Sequence, residues 1–288
     1  VALAVTAAAD PGAKPRWARH LPPSHPHGVF LVCWLLGGLL GAFIVVPLLA
    51  LAATPSAASL AAAARTADLW QALRLSLEAA LLAAIVAGLL GVPLAYLLAR
   101  SDFRGKSLVA AIVDLPLAVP HTVAGIALLL VLGRDGIVGA PAAAIFGLGF
   151  WGTLAGIVAA MLFVSVPYTV NAARIGFEGV DPRLEKIART LGLGPWHTCL
   201  RITLPLARRS ILTGLTLTYA RSISEFGAVM ILAYYPMTAP VRIYTLFVGS
   251  GLDEAAAASV MLLAVSLALF ILFRRLAFGN GIGAMGSR

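Results

Sequence analysis

The sequence predicts an all-α fold: a polytopic membrane helical bundle of about six transmembrane helices. Three observations carry that expectation. Apolar residues make up 60% and charged residues only 11% of the 288 positions, whereas a soluble domain carries roughly a quarter charged residues. The mean hydropathy is +0.96. Long runs nearly free of charge recur along the chain, each close to the ~20 residues that cross a bilayer as a helix. The basic residues fall between these runs with a strong one-sided bias.

In chain order, residues 1–28 read as a Pro-rich, disordered cytoplasmic tail containing His20, His25 and His27. Its opening Val1–Ala9 is apolar but has no basic segment before it and a polar stretch after it, unlike a signal peptide. The transmembrane domain is expected over 29–276. Its first two spans are Phe30–Ala53 and Leu75–Ala99, and a tight turn at Gly105-Lys106-Ser107 leads to the third, Leu108–Leu132. The stretch Ile137–Ala173 exceeds one span and is interrupted by Gly147, Gly149 and Gly152. Its first part therefore reads as interfacial or re-entrant, and Thr153–Ala173 as the fourth span. A basic loop, 176–208, precedes the fifth span, Ser210–Leu232. An outer loop, Ala233–Glu254, precedes the sixth, Ala255–Phe273, and 277–288 form a second cytoplasmic tail.

Placing the loop after the fourth span in the cytoplasm puts most basic residues inside. Arg100, Arg104 and Lys106 lie in one inner segment, and Arg174, Arg183, Lys186, Arg189, Arg201, Arg208 and Arg209 in the next. Outer segments hold only Arg65, Arg74, Arg134 and Arg242. The positive-inside rule is satisfied, and both termini are expected in the cytoplasm. The same bias accounts for most of the net charge of +9. Because that charge borders membrane spans and forms no stripe on a soluble domain, no nucleic-acid partner is expected.

Several chemistries are not expected. Cys33 falls in the first span and Cys199 in the basic loop, so the two cannot pair within one subunit. The five histidines show no metal-ligand spacing. Gly105-Lys106-Ser107 resembles the end of a phosphate-binding loop, but Arg100 occupies the position where that motif requires its first Gly. No ATPase site, cofactor or catalytic residue is expected in this chain; if it works with ATP, the ATP and Mg belong to a separate subunit.

The basic loop carries the most specific pattern. Asp181-Pro182 is a helix start, with Asp at the N-cap and Pro in the first turn. Leu184, Ile187, Ala188 and Leu191 then share one helical face. Gly192 can end that helix in a left-handed turn, and Gly194-Pro195 can begin a second helix with Trp196, Cys199 and Leu200 on its apolar side, stopped by Pro205. Two short helices joined at a Gly form a knob suited to docking in a partner's groove; the plainer alternative is an amphipathic surface loop.

Two constellations lie at membrane depth. In the fifth span, Arg221 and Glu225 are four residues apart and can pair on one helix face, with Ser222, Ser224, Phe226 and Gly227 beside them. Intramembrane charges face a bundle interior or a water-filled path, so the group reads either as a gate or path lining, or as a structural ion pair. In the third span, Pro116 and Pro120 bend the helix. His121 and Thr122 at that bend can either bond a passing oxyanion or satisfy carbonyls freed by the prolines. Asp114 and Glu78 read as structural or interfacial.

The loop spacing Lys186-Ile187-Ala188, Gly192 and Ile202-Thr203-Leu204-Pro205 resembles the EAA loop of permease subunits in ATP-binding-cassette (ABC) importers, with Glu185 one residue before the usual Glu position. Leu115–Leu129, Ser224–Ala228 and Tyr234–Pro240 resemble the molybdate/tungstate branch of those permeases, with sulfate and thiosulfate permeases as close relatives. The resemblance implies a pore in the cytoplasmic (inner) membrane of a prokaryote, formed with a second copy of the chain, and two ATPase subunits docked at Glu185, Lys186, Ile187, Ala188, Gly192, Trp196, Ile202, Leu204 and Pro205. It also implies a gate around Pro120, His121, Thr122, Arg221, Ser224, Glu225, Phe226 and Gly227. An extracytoplasmic oxyanion-binding protein would contact Tyr234, Tyr235, Met237 and Arg242, which otherwise read as an interfacial anchor. An ion-coupled secondary transporter would show internal repeats and more buried ionisable residues. A membrane enzyme would cluster Asp114, His121 and Glu225 at one depth.

Overall fold

The computed structural model describes residues 27–278; the expectations for the two tails concern residues largely outside these. Every regular element among the described residues is helical. They divide into two compact units, split after Leu51. The first holds all but the last two residues of α1 (His27–Ala53), a single apolar helix containing Pro47. His27 is its first residue, one place earlier than the expected end of the tail.

The second unit is built on three long helices. α3 (Ala67–Arg100) follows the short α2 (Ala57–Arg65), whose Ser56 cap accepts the Ser59 N–H at 3.0 Å. α7 (Leu154–Glu178) starts at the Thr153 cap, and α10 (Leu204–Ile223) packs against both α3 and α7. α3 turns a run of small residues inward: Ala72, Ser76, Ala79, Ala80, Ala83, Ala84, Ala87, Gly91 and Ala95 are all buried. Small side chains let helix backbones approach closely, which is how helices gain packing energy where lipid supplies no hydrophobic drive. Ala79–Ala84 cluster with Ile157–Val164, and Ala95 and Leu98 with Val170–Phe177, so α3 and α7 run parallel.

α10 runs antiparallel to α7, as two buried hydroxyl pairs show. Ser165 Oγ lies 2.9 Å from Ser222 Oγ, and Thr169 Oγ1 lies 2.7 Å from Thr218 Oγ1. Each such bond between membrane helices adds only about 0.6 kcal/mol; the pairs set register more than they supply stability.

Between these helices lie shorter ones: α4 (Lys106–Ala118), α5 (His121–Leu132) and α6 (Gly139–Phe146). The expected third span is thus two helices bent by 115° around Val119-Pro120. Pro116 stays inside α4, whereas Pro120 lacks the N–H needed to continue it. α6 falls within the stretch expected to be interfacial or re-entrant before the fourth span. Beyond α7 come α8 (Pro182–Thr190) and α9 (Pro195–Thr198). A π-helical turn (Cys199–Thr203) joins α9 to α10. After α10 come α11 (Gly227–Leu232), α12 (Ala239–Gly249) and α13 (Leu252–Phe278).

Three expectations change here. The fifth span is not one helix: α10 ends at Ile223, and α11 begins after a break at Ser224–Phe226. Four helices, α1, α3, α7 and α13, are long and apolar enough to cross a membrane, and the bent α4–α5 pair makes five. The chain is therefore an all-α polytopic membrane bundle with four to five such spans. Pro205 does not stop the second loop helix either. The π turn carries a wider Leu204 N–H to Cys199 carbonyl bond just before it, and Pro205 sits in the first turn of α10, where its missing N–H is tolerated.

Candidate functional site

The two helix breaks meet. His121 and Thr122 open α5, just after Pro120; Arg221 lies in the last turn of α10, Ser224 and Glu225 in the break, Phe226 at the cap of α11 and Gly227 at its first position. The residues expected at the gate therefore come together from two helix breaks.

Glu225 is its centre. Its side chain is 1% exposed, against 20% for Arg221 and 46% for His121. Oε1 accepts the Ala228 N–H at 2.9 Å, and Oε2 accepts Arg221 Nη2 at 2.8 Å. The carboxylate thus bonds at the start of α11 and also holds the end of α10. The Arg221–Glu225 pairing expected from their spacing forms across the last turn of α10 into the break.

Arg221 Nη1 donates to Ser224 Oγ at 3.2 Å, and Nη2 lies 2.6 Å from His121 Nε2. A guanidinium only donates, so Nε2 is the acceptor, and a neutral imidazole carries its proton on Nδ1. That nitrogen faces Glu225 Oε2 at 3.8 Å. Thr122 is exposed beside it.

Backbone contact brings the breaks this close. A Cβ on Gly227 would lie 2.9 Å from His121 Cβ, and one on Gly125 would lie 3.0 Å from Ala228 Cα. α5 and α11, each just past a helix break, pack directly on one another. Phe226 stacks obliquely on Tyr244 of α12, with ring centroids 5.1 Å apart. Asp114 lies away from this group and accepts the Asn171 amide at 2.7 Å. Glu78 pairs with Arg74. Both agree with the structural or interfacial reading.

The second assembly is the α8–α9 loop. Asp181 caps α8 by accepting the Arg183 N–H at 2.9 Å. Gly192 has φ +89°, and the Leu193 N–H reaches back to the Ala188 carbonyl at 3.0 Å, the six-to-one closure of a helix ended by a left-handed glycine. The apolar positions do not all share one direction. Ile187, Leu191 and Trp196 are 56%, 76% and 71% exposed, while Glu185 and Ala188 are buried. Lys186 and Pro205 are exposed, and Ile202 and Leu204 are half-buried. Ile187, Leu191 and Trp196 are thus exposed on the same loop as the exposed Arg183, Lys186 and Arg189.

Cys199, in the π turn, is partly buried. Burial pushes its thiol up, against a hydrogen bond with Tyr96 that pulls it down, and the charge of Glu185 adds to the rise. Its thiolate, the reactive form, is accordingly scarce near neutral pH.

At the opposite end of the long helices, Ala239 N–H donates to Ser76 Oγ at 2.7 Å and seats α12 against α3. Tyr234 and Tyr235 are exposed, Met237 is half-buried, and Arg242 faces Asp68 at 3.8 Å. Tyr235, Met237 and Arg242 share a small cleft with Asp68 and Gln71. Among the described residues no cluster of three or more His, Cys, Asp or Glu could hold a metal ion.

Sequence reasoning missed two features of this architecture. Arg100 read only as a positive-inside residue, yet it bonds Glu185, 85 residues away, at 2.8 Å. The Thr169–Thr218 pair gave no local signal, because each hydroxyl lies inside an apolar run.

Residues 91–279 match the profile of the family described as binding-protein-dependent transport system inner membrane component. The chain is 46% identical over 204 residues to the molybdate/tungstate transport system permease protein of Thermococcus kodakarensis, covering 71% of this chain and 77% of that one. It is 38% identical over 267 residues to a probable molybdenum ABC transporter permease protein of Haloferax volcanii, covering 93% and 96%. It is 39% identical over 207 residues to the molybdenum transport system permease protein of Escherichia coli K12, covering 70% and 90%. A crystal structure of a bacterial ABC transporter that imports alginate superposes with a TM-score of 0.71 at 18% identity, over 87% of this chain and 96% of that one; the likeness is one of fold.

Proposed function

Because this chain belongs to the family of binding-protein-dependent transport system inner membrane components, we propose that it is the permease subunit of an ATP-driven importer of molybdate and tungstate. The observation that carries the substrate class is the identity of 38% or more to permeases named for molybdate, tungstate or molybdenum, over most of both chains. The subunit hydrolyses nothing itself.

In this reading two copies form the pore in the cytoplasmic membrane, with the loop carrying α8 and α9 and both termini on the cytoplasmic side. The basic residues of that loop support the orientation. A sixth crossing is supplied by α10 with α11. It fails the apolar criterion because Arg208 and Arg209 lie near its inner end and Arg221 near the break, and its intramembrane charge is compensated by Glu225. An ATPase subunit docks on each knob through Ile187, Leu191 and Trp196, and an extracytoplasmic oxyanion-binding protein meets the face with Tyr234, Tyr235, Met237 and Arg242. ATP binding moves the knobs and opens the pore outward; hydrolysis resets it. The Arg221–Glu225–His121 group is the gate. Glu225 holds the Arg221 guanidinium, so an oxyanion competes with that carboxylate for Arg221 and gains the contact when the two breaks part.

The test is ATPase stimulation in proteoliposomes holding the permease, its ATPase and the binding protein loaded in turn with tungstate, molybdate or sulfate. Stimulation by the first two alone is the expected result. Stimulation by sulfate moves the assignment to the sulfate branch, and no stimulation by any of them overturns the oxyanion reading.

Docking has its own test. Gly192→Val forces a β-branched residue to φ +89°, a strain of about 1–3 kcal/mol. The variant is expected to insert normally but to lose its ATPase subunit or its coupling in a pull-down and transport assay. Normal ATP-driven transport would refute the role given to the loop.

A further inference from the structure

We propose that Arg100 and Glu185 form an internal clamp that passes movement of the α8–α9 loop to α3, which makes Glu185 a positioning residue and not a contact for the ATPase. The proposal rests on the loop being the docking point. Arg100 is the last residue of α3. Its Nε donates to Glu185 Oε1 at 2.8 Å, and its Nη2 donates to the Val180 carbonyl at 2.8 Å. Thr203 Oγ1 donates to the same Glu185 oxygen at 2.8 Å.

One carboxylate oxygen therefore joins three pieces of chain: the end of α3, the first turn of α8 and the π turn that leads into α10. The guanidinium grips a fourth, the link from α7 to α8. Without these bonds α8 hangs between two short glycine-containing links, Gly179–Asp181 and Leu191–Gly194, and can pivot on them. With them, a push on α8 reaches the helix that packs against both α7 and α10.

Burial separates this role from docking. The Arg100 and Glu185 side chains are 13% and 9% exposed, so a protein resting on the loop does not reach the pair. The apolar residues that do face outward supply a contact surface, while the enclosed, mutually bonded charges hold one geometry, the use for which buried ion networks are best suited.

The test uses the full complex in proteoliposomes with Arg100→Lys and Glu185→Gln. Lysine keeps the charge but cannot grip Glu185 and the Val180 carbonyl together; glutamine keeps the shape but removes the charge. Both variants should retain the ATPase subunit in a pull-down, while substrate moved per ATP hydrolysed falls about tenfold, within the range by which substitutions along a coupling network shift coupling. Loss of the ATPase subunit from Glu185→Gln would make the carboxylate a docking contact and overturn the clamp. An unchanged transport-to-ATP ratio in both variants would overturn it as well. Should Glu185→Gln fail to insert, Arg100→Lys decides the question by the same ratio. Trp196→Ala is measured alongside: retention of the ATPase subunit at the unsubstituted level there would count against the docking reading itself, separately from the clamp.

Discussion

Replacing Glu225 with Gln is expected to raise ATP hydrolysis in the absence of binding protein and to alter the transport rate, because it removes the charge that holds the two helix breaks together. The carboxylate is 1% exposed and accepts from both Arg221 and the Ala228 N–H. Breaking a buried pair by removing one partner typically costs about 3–5 kcal/mol, since the other charge is left uncompensated. Arg221 keeps some exposure and a bond to Ser224, so the cost should fall at the lower end of that range. If the midpoint of thermal unfolding drops while ATPase and transport rates per folded complex stay unchanged, the group is a structural ion pair and the gate lies elsewhere.

Gly125→Val should produce the second large effect. A Cβ there would meet Ala228 Cα and Ile231 Cβ, both at 3.0 Å, and the first of these is backbone that cannot rotate away. Overpacking of this kind costs about 1–3 kcal/mol, and the side chain should push α5 off α11, parting His121 from Arg221. The expected readout is a lower unfolding midpoint together with transport lost beyond what the unfolded fraction explains. Gly249→Ala, where nothing lies within 4 Å, serves as the control and should match the unsubstituted protein. A normal transport rate in Gly125→Val would show that close contact between α5 and α11 is not required.

How much of this was legible beforehand depends on how local each feature is. The Asp181 cap, the Gly192 turn and the Arg221–Glu225 pair each depend on residues a few positions apart, and sequence spacing foretold all three. The apolar runs marked where membrane helices lie, but hydropathy carries no information about backbone direction. Ser224–Phe226 therefore passed as the interior of a continuous span, whereas at Val119-Pro120 the prolines foretold a bend but not its 115° extent. Pro120 hinted at the first break; at the second, a carboxylate and a glycine two residues apart inside an apolar run were the available signal. The contacts that join breaks to one another were not legible: His121 and Arg221 are 100 residues apart, and Arg100 and Glu185 are 85. The outward turn of Ile187 and Leu191 was also hidden, because a helical face in sequence does not say which neighbour it meets. Pro205 misled because a wide turn before it removed the penalty that proline normally imposes.

The uninterrupted helical path from Pro195 through the π turn to Ile223 makes the loop and the proposed gate two ends of one lever. At 1.5 Å per residue it spans about 40 Å, with the Thr169–Thr218 and Ser165–Ser222 pairs as rungs that keep it in phase with α7. Such a lever tolerates changes of side chain along its outer face far better than changes of length. A single residue inserted between Pro205 and Thr218 would turn everything beyond it by about 100°. Arg221 would then point away from His121 even though every residue at both ends remained intact.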